Sequence, residues 1–187
     1  MAYQTINPYT GETLKTFPNT TDAQVQQAIE SAHTAFLSWR DTPFSQRAAV
    51  LTKAAQLLRA SKLDFAKILT LEMGKLLAEA QAEVELSAEI LDYFAAHGEA
   101  FMQPDTLPVS KANGRAIVAR EPLGVLLAVE PWNFPYYQVA RILAPQLMAG
   151  NTLLLKHASN VPQSALAFEK LMRDAGLIDG AFINLFV

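Results

Sequence analysis

Three polar groups in the last third of the chain are of types that could do chemistry. Asn133 lies in the run Glu130-Pro131-Trp132-Asn133-Phe134-Pro135, Arg141 is the one charged residue between Glu130 and Lys156, and Lys156 ends the run Thr152-Leu153-Leu154-Leu155. A side-chain amide can donate to an oxyanion as charge develops on it. On spacing alone, the commoner role for such an Asn is to cap the proline-started helix that follows. A lone arginine in an apolar stretch must find an anion or reach solvent, because an unpaired buried charge is strongly destabilising. Lys156 can donate to a ribose or phosphate oxygen, or stand solvated at a strand end. His33, His97 and His157 show no metal-ligand spacing and read as helix-surface or loop residues, so no metal is expected.

Useful chemistry needs these groups held in place, and the last third of the chain supplies the frame. Leu123 to Val129 is a continuous apolar run, the pattern of a strand buried on both faces. A helix follows from Pro135 to about Met148, ended by Gly150-Asn151, and Thr152 to Leu155 forms a second buried strand. Ser159 or Asn160 caps the next helix, which has Pro162 near its start and turns Ala165, Phe168, Leu171 and Met172 inward. Gly176 stops it, and Phe182 begins a third strand. The order β-α-β-α-β with right-handed crossovers gives a Rossmann-like parallel sheet, whose ligands bind beyond the carboxyl ends of the strands. Residues 130–135 and 156–159 both fall there, and the edge is expected to turn amide, guanidinium and ammonium toward a shared crevice. No Gly-x-Gly-x-x-Gly follows either strand, so the common dinucleotide fingerprint is absent.

Upstream, Tyr3 to Thr20 reads as short extended pieces, with turns at Asn7-Pro8 and Thr10-Gly11. Thr21-Asp22-Ala23-Gln24 has capping-box form and opens a helix with Val25, Ala28, Ile29, Ala32, Phe36 and Trp39 inward. Thr42-Pro43 opens a second helix, with proline at its first position and Ala48, Leu51, Ala55 and Leu58 as its stripe. Ser61 to Asp64 repeats the capping pattern ahead of Phe65, Ile68, Leu69 and Met73. A long helix from about Lys75 to His97 turns Leu76, Leu77, Ala80, Val84, Ser87, Leu91 and Phe94 inward. Glu72, Glu79, Glu83, Glu85, Glu89 and Asp92 make this region acidic and read as a solvated face, with no paired-carboxylate catalysis. Between Pro104 and Pro122, Asn113-Gly114 separates two extended runs, a strong hairpin signal. A ribbon of two strands is marginal alone, so it is expected to lean on another element or subunit.

Composition narrows the function classes. The 187 residues are 51% hydrophobic and 18% charged, with a net charge of −3. That is an ordinary globular chain with no basic stripe for nucleic acid. No apolar run approaches the roughly 18 residues of a membrane span, and Met1-Ala2-Tyr3-Gln4 shows no secretory pattern, so a cytoplasmic location is expected. There is no cysteine, hence no disulfide and no thiolate nucleophile from these residues.

The run Glu130 to Pro135, followed by Ala149-Gly150-Asn151-Thr152 and Leu155-Lys156, resembles the aldehyde dehydrogenase superfamily. Asn7-Pro8-Tyr9-Thr10-Gly11-Glu12 and Glu72-Met73-Gly74-Lys75 fit it too, and the nearest subgroup is the bacterial NAD(P)-dependent succinate-semialdehyde dehydrogenases. The resemblance implies that Asn133 is the oxyanion-hole amide, that Pro131 and Trp132 border the nicotinamide, and that Phe134 lines the aldehyde tunnel. It implies that Lys156 binds the adenosine ribose and that Arg141 clamps the substrate carboxylate, for which a guanidinium has bidentate geometry. Three positions after that lysine, many NAD-preferring relatives carry a Glu. Ser159 adds no charge against a 2′-phosphate, so NADP is expected to be accepted as well as NAD. His157 replaces the proline usual beside the lysine.

The same resemblance marks what these residues lack. The nucleophilic Cys and general-base Glu of such enzymes lie beyond Val187, so the chain resembles an amino-terminal part and is expected to be inactive alone. Residues 1–103 and 123–187 would be a partial cofactor-binding domain, 104–122 a β-hairpin oligomerisation arm of a homo-oligomer, and the thiol-bearing domain absent. The parent would oxidise a small-molecule aldehyde carrying a carboxylate, succinate semialdehyde to succinate. The alternative is a non-catalytic cofactor-binding or assembly module; an unrelated α/β domain that binds an anion through Arg141 and Lys156 is a third reading.

Overall fold

The computed structural model describes residues 3–110 and 114–187. Its centre is a three-stranded parallel sheet of β5 (Val125–Glu130), β6 (Thr152–His157) and β7 (Phe182–Asn184), in the order β5-β6-β7. The register runs from Val125 opposite Thr152 to Glu130 opposite His157, so the first two strands end side by side. Helix α5 (Pro135–Ala149) makes the first crossover and α6 (Pro162–Asp174) the second.

The alternation of β6 assigns its two faces. Leu153 and Leu155 enter a large core with Tyr136, Val139 and Leu143 of α5 and Ala165 and Phe168 of α6. Leu154 packs oppositely, with Ala28 and Ala32 of α1 (Asp22–Trp39). Strand β5 is only half covered: Leu127 and Val129 are 63% and 64% exposed, because α1 reaches no farther than the start of that strand. An apolar run cannot distinguish this from burial on both faces.

Behind α5 lies a layer of α2 (Phe44–Ala60), α3 (Lys62–Met73) and α4 (Leu77–Phe101), with α4 packed against α2, α3 and α5. The α1 capping box is present, with Thr21 and Gln24 bonding reciprocally. Pro43 is the cap of α2 rather than its first residue. Ser61 makes no side-chain cap, since its φ of −112° and ψ of 24° lie outside the extended conformation that a cap needs. Ile29, Leu76 and Leu77 are exposed: Ile29 lies off the narrow Ala28–Ala32–Ala35–Phe36–Trp39 stripe, and the other two form the lead-in to α4. Helix α4 passes through Gly98, where an added Cβ would sit 2.8 Å from the Met148 Cβ, so the glycine permits close approach to α5.

The acidic region is not simply a solvated face. Glu85 and Asp92 pair with Arg59 at 2.6 Å each, and Glu72 and Glu83 are buried. Strands β1 (Tyr3–Ile6) and β2 (Thr13–Phe17) form an antiparallel ribbon at the sheet's carboxyl edge, where Gln4 N–H donates to the Ser159 carbonyl at 3.2 Å. The second ribbon, β3 (Asp105–Leu107) with β4 (Ala116–Val118), pairs Asp105 with Val118 and Leu107 with Ala116. β3 stops before Pro108, which lacks an N–H to donate to the ladder. Asn113 itself lies outside the described residues.

Candidate active site

Two helices begin where β5 and β6 end, and both start with proline. Pro135 opens α5 and Pro162 opens α6, with Phe134 and Val161 as caps whose side chains bond nothing. The amides at the second and third helical positions therefore need acceptors from elsewhere. Glu83 Oε1 accepts from Tyr136 N–H at 2.9 Å and Tyr137 N–H at 3.3 Å. Glu72 performs the same task for α6, taking Gln163 N–H on Oε1 and Ser164 N–H on Oε2, both at 2.8 Å. The Thr5 and Ser164 hydroxyls add bonds of 2.6 and 2.7 Å. Burial raises the Glu72 carboxyl's pKa, against these four bonds that lower it. Ser159 and Asn160, expected to cap α6, do not: the cap comes from a residue about ninety positions away. Both acids sit on the apolar stripes of their helices, Glu83 beside Ala80, Val84 and Ser87 and Glu72 three residues after Leu69. That phase was the available signal.

The segment 133–135 is held from two more sides. Lys75 Nζ donates to the Asn133 carbonyl at 3.0 Å, pairs with Glu83 Oε2, and lies 3.8 Å from the centre of the Phe134 ring. His157 is not a surface residue: it is 1% exposed at the end of β6. Ala158 N–H donates to its Nδ1 at 2.8 Å, so the ring proton is on Nε2 and is donated to the Pro135 carbonyl at 3.1 Å. Burial first, and then the neighbouring Lys156 charge, lower its pKa to about 4 despite that bond to Pro135.

The residues singled out in the sequence divide into three groups. Pro131, Trp132, Asn133 and Phe134 are exposed on the loop after β5, and the Asn133 side-chain amide has no hydrogen-bond partner among the described residues. Arg141 is exposed two turns into α5, with its guanidinium carbon 5.6 Å from the Tyr137 ring centre. It makes no salt bridge among the described residues, and its charge helps to lower the carboxyl of Glu130, which burial raises. Lys156 follows Leu154 onto the α1 face of the sheet, with Nζ 5.9 Å from the Tyr3 ring centre, and Ser159 lies beyond it. The pockets beside Ile178 and Gly180, beside Asn7 and Tyr9, and beside Arg40 are lined by none of these residues. The site is thus an open edge. Asn133 stands at its rim, Arg141 on the helix side and Lys156 on the other, as the period-two alternation of β6 requires.

A parallel sheet of β5, β6 and β7 with α5 and α6 as its crossovers defines the class: a Rossmann-like α/β fold. The comparisons specify it further. The aldehyde dehydrogenase family model matches residues 1–186, and the chain belongs to that family. It is 50% identical over 185 residues to the succinate-semialdehyde dehydrogenase [NADP(+)] of Deinococcus radiodurans, covering 99% of this chain and 38% of that one. It is 47% identical over 188 residues to succinate-semialdehyde dehydrogenase [NADP(+)] 1 of Mycobacterium bovis, with coverage of 100% and 41%. The crystal structure of succinic semialdehyde dehydrogenase from Streptococcus pyogenes in complex with NADP+ superposes with a TM-score of 0.96 at 45% identity, over 100% of this chain and 41% of that one. The chain spans about two fifths of the length of these relatives. No helix among the described residues is long and apolar enough to cross a membrane.

Proposed function

We propose that this chain is the cofactor-facing, amino-terminal portion of an NADP-dependent succinate-semialdehyde dehydrogenase. The observation that carries the reading is the Asn133 amide, exposed and without a partner among the described residues, on a loop whose backbone is held at Asn133, Pro135, Tyr136 and Tyr137. A fixed donor that need not reorganise is what stabilises charge developing on a carbonyl oxygen. Phe134 and Trp132 beside it give an apolar rim for the aldehyde and the nicotinamide, with Pro131 behind them. Arg141 supplies a guanidinium that makes no salt bridge among the described residues, suited to the substrate's distal carboxylate.

NADP or NAD fits the other side of the edge. Lys156 makes no salt bridge among the described residues, so its ammonium is available to a ribose hydroxyl or phosphate oxygen, and Ser159 brings no negative charge against a 2′-phosphate. The cofactor, when bound, accepts the hydride; these residues bind and orient. A chain with no cysteine supplies no thiol nucleophile, so the 187 residues alone are expected to bind NADP without turnover. Residues 1–103 and 123–187 form the cofactor-binding part. Residues 104–122 form the homo-oligomer arm, supported by a ribbon that pairs with no other strand among the described residues and exposes Leu107, Ile117 and Val118.

Arg141→Ala in the full-length enzyme tests the assignment. A hydrogen bond to a charged group is worth about 1.5–3 kcal/mol, so KM for succinate semialdehyde should rise roughly 10- to 100-fold. KM for an uncharged aldehyde of equal length should change little. Equal effects on both aldehydes remove the carboxylate assignment.

A further inference from the structure

We propose that Lys75 and Glu83 form the positioning unit of the oxyanion donor, acting on the reaction through Asn133. The inference rests on the reading of Asn133 given above and extends it to two residues outside the loop. Both side chains are withdrawn from water, at 7% and 1% exposure. A buried ion pair is a poor way to gain stability, because the desolvation of two charges offsets their attraction, and an apolar pair of similar volume often serves as well. What this pair achieves is geometric. Its contacts beyond itself converge on four residues of the segment 133–137: Lys75 Nζ holds the Asn133 carbonyl and faces the Phe134 ring, while Glu83 Oε1 holds the amides of Tyr136 and Tyr137. Pro135, between them, offers no N–H of its own. Each charge is the other's counter-charge within the buried pair, so neither half holds the loop without the other.

The lysine comes from the turn joining α3 to α4 and the glutamate from the second turn of α4. The loop is therefore anchored to the rigid helical layer rather than to its own strand. Removing the ammonium frees the Asn133 carbonyl and lets the amide drift. A misplacement of about 1 Å at a reacting centre can cost on the order of 100-fold in rate.

The test is a double-mutant cycle in the full-length enzyme, read as kcat, KM for the aldehyde and Kd for NADPH by its fluorescence. Asn133→Ala should lower kcat by about 100- to 1,000-fold, the cost of one oxyanion donor. Lys75→Met should lower kcat by roughly 10- to 100-fold, with KM and Kd within about twofold, and should add less than about threefold in the Asn133→Ala background. Should Lys75→Met fold poorly, Lys75→Arg keeps a charge opposite Glu83 but alters the reach to the carbonyl. It should show a smaller kcat loss with the same dependence on Asn133. An undiminished kcat in the lysine variants, or a loss that simply multiplies with that of Asn133→Ala, overturns the positioning role while leaving Asn133 intact. An Asn133→Ala enzyme of normal kcat overturns both the role and the reading beneath it.

Discussion

Acidification should destabilise this chain through one histidine. His157 has Nδ1 committed as acceptor to Ala158 N–H and Nε2–H committed as donor to the Pro135 carbonyl. A second ring proton would set two donors face to face at Nδ1, beside the Lys156 ammonium and out of reach of water. The folded pKa is accordingly lowered from 6.5 to about 4. For a base depressed by folding, the unfolded chain takes up the proton first. Stability therefore falls as pH drops below about 6.5, and the loss is complete only below about 4. The whole window corresponds to about 3 kcal/mol, of which about 2 kcal/mol is gone by pH 5. Urea unfolding at pH 7 and pH 5, on the wild type and on His157→Gln, isolates this contribution. Glu72, whose raised carboxyl moves stability the opposite way with pH, is present in both proteins and cancels in the difference. The variant should lose about 2 kcal/mol less than the wild type between the two pH values. Equal losses, or an NMR titration of the His157 ring with a midpoint near 6.5, would refute the burial argument.

Two further changes probe the frame. Glu72→Ala should lower unfolding free energy by about 2–4 kcal/mol, because it strands two buried helix-end amides and two hydroxyls; urea midpoints and accelerated amide exchange at Gln163 and Ser164 check this. Gly98→Ala should cost about 1–3 kcal/mol in the same unfolding assay, since helix propensity favours alanine but the new methyl meets the Met148 side chain.

The frame was largely legible because periodicity and punctuation carry it. The Thr21–Gln24 capping box, Gly74, Gly150 and Gly176 at helix ends, and the parallel β5-β6-β7 sheet follow from local rules that the tertiary structure leaves in force. What escaped is long-range and polar. Glu83 reaches 53 residues along the chain to Tyr136, and Glu72 reaches 91 to Gln163. Each looked like one more acid among six, and only its phase on an apolar stripe set it apart. His157 escaped for a related reason: its burial depends on the end of β6 abutting the start of α5, which no local window contains. The second ribbon was legible from its two extended runs, and β3 and β4 pair as an antiparallel ribbon on either side of the undescribed residues 111–113.

The two buried glutamates also account for a motif that is missing. At the carboxyl edge of a parallel sheet, the exposed amides of the following helix usually attract a phosphate, and glycines let the phosphate approach the backbone. Here proline removes the first amide of α5 and of α6, and a carboxylate from the helical layer occupies the next two in each case. A phosphate placed at either helix start would meet a buried negative charge instead of a row of donors. Glycines after β5 and β6 would therefore serve nothing, and their positions are free for Trp132, Asn133, Phe134 and Lys156, the side chains proposed above to meet cofactor and substrate. The missing fingerprint and the buried carboxylates are two sides of one arrangement: the helix dipoles are satisfied from within, and the proposed cofactor and substrate contacts fall to side chains.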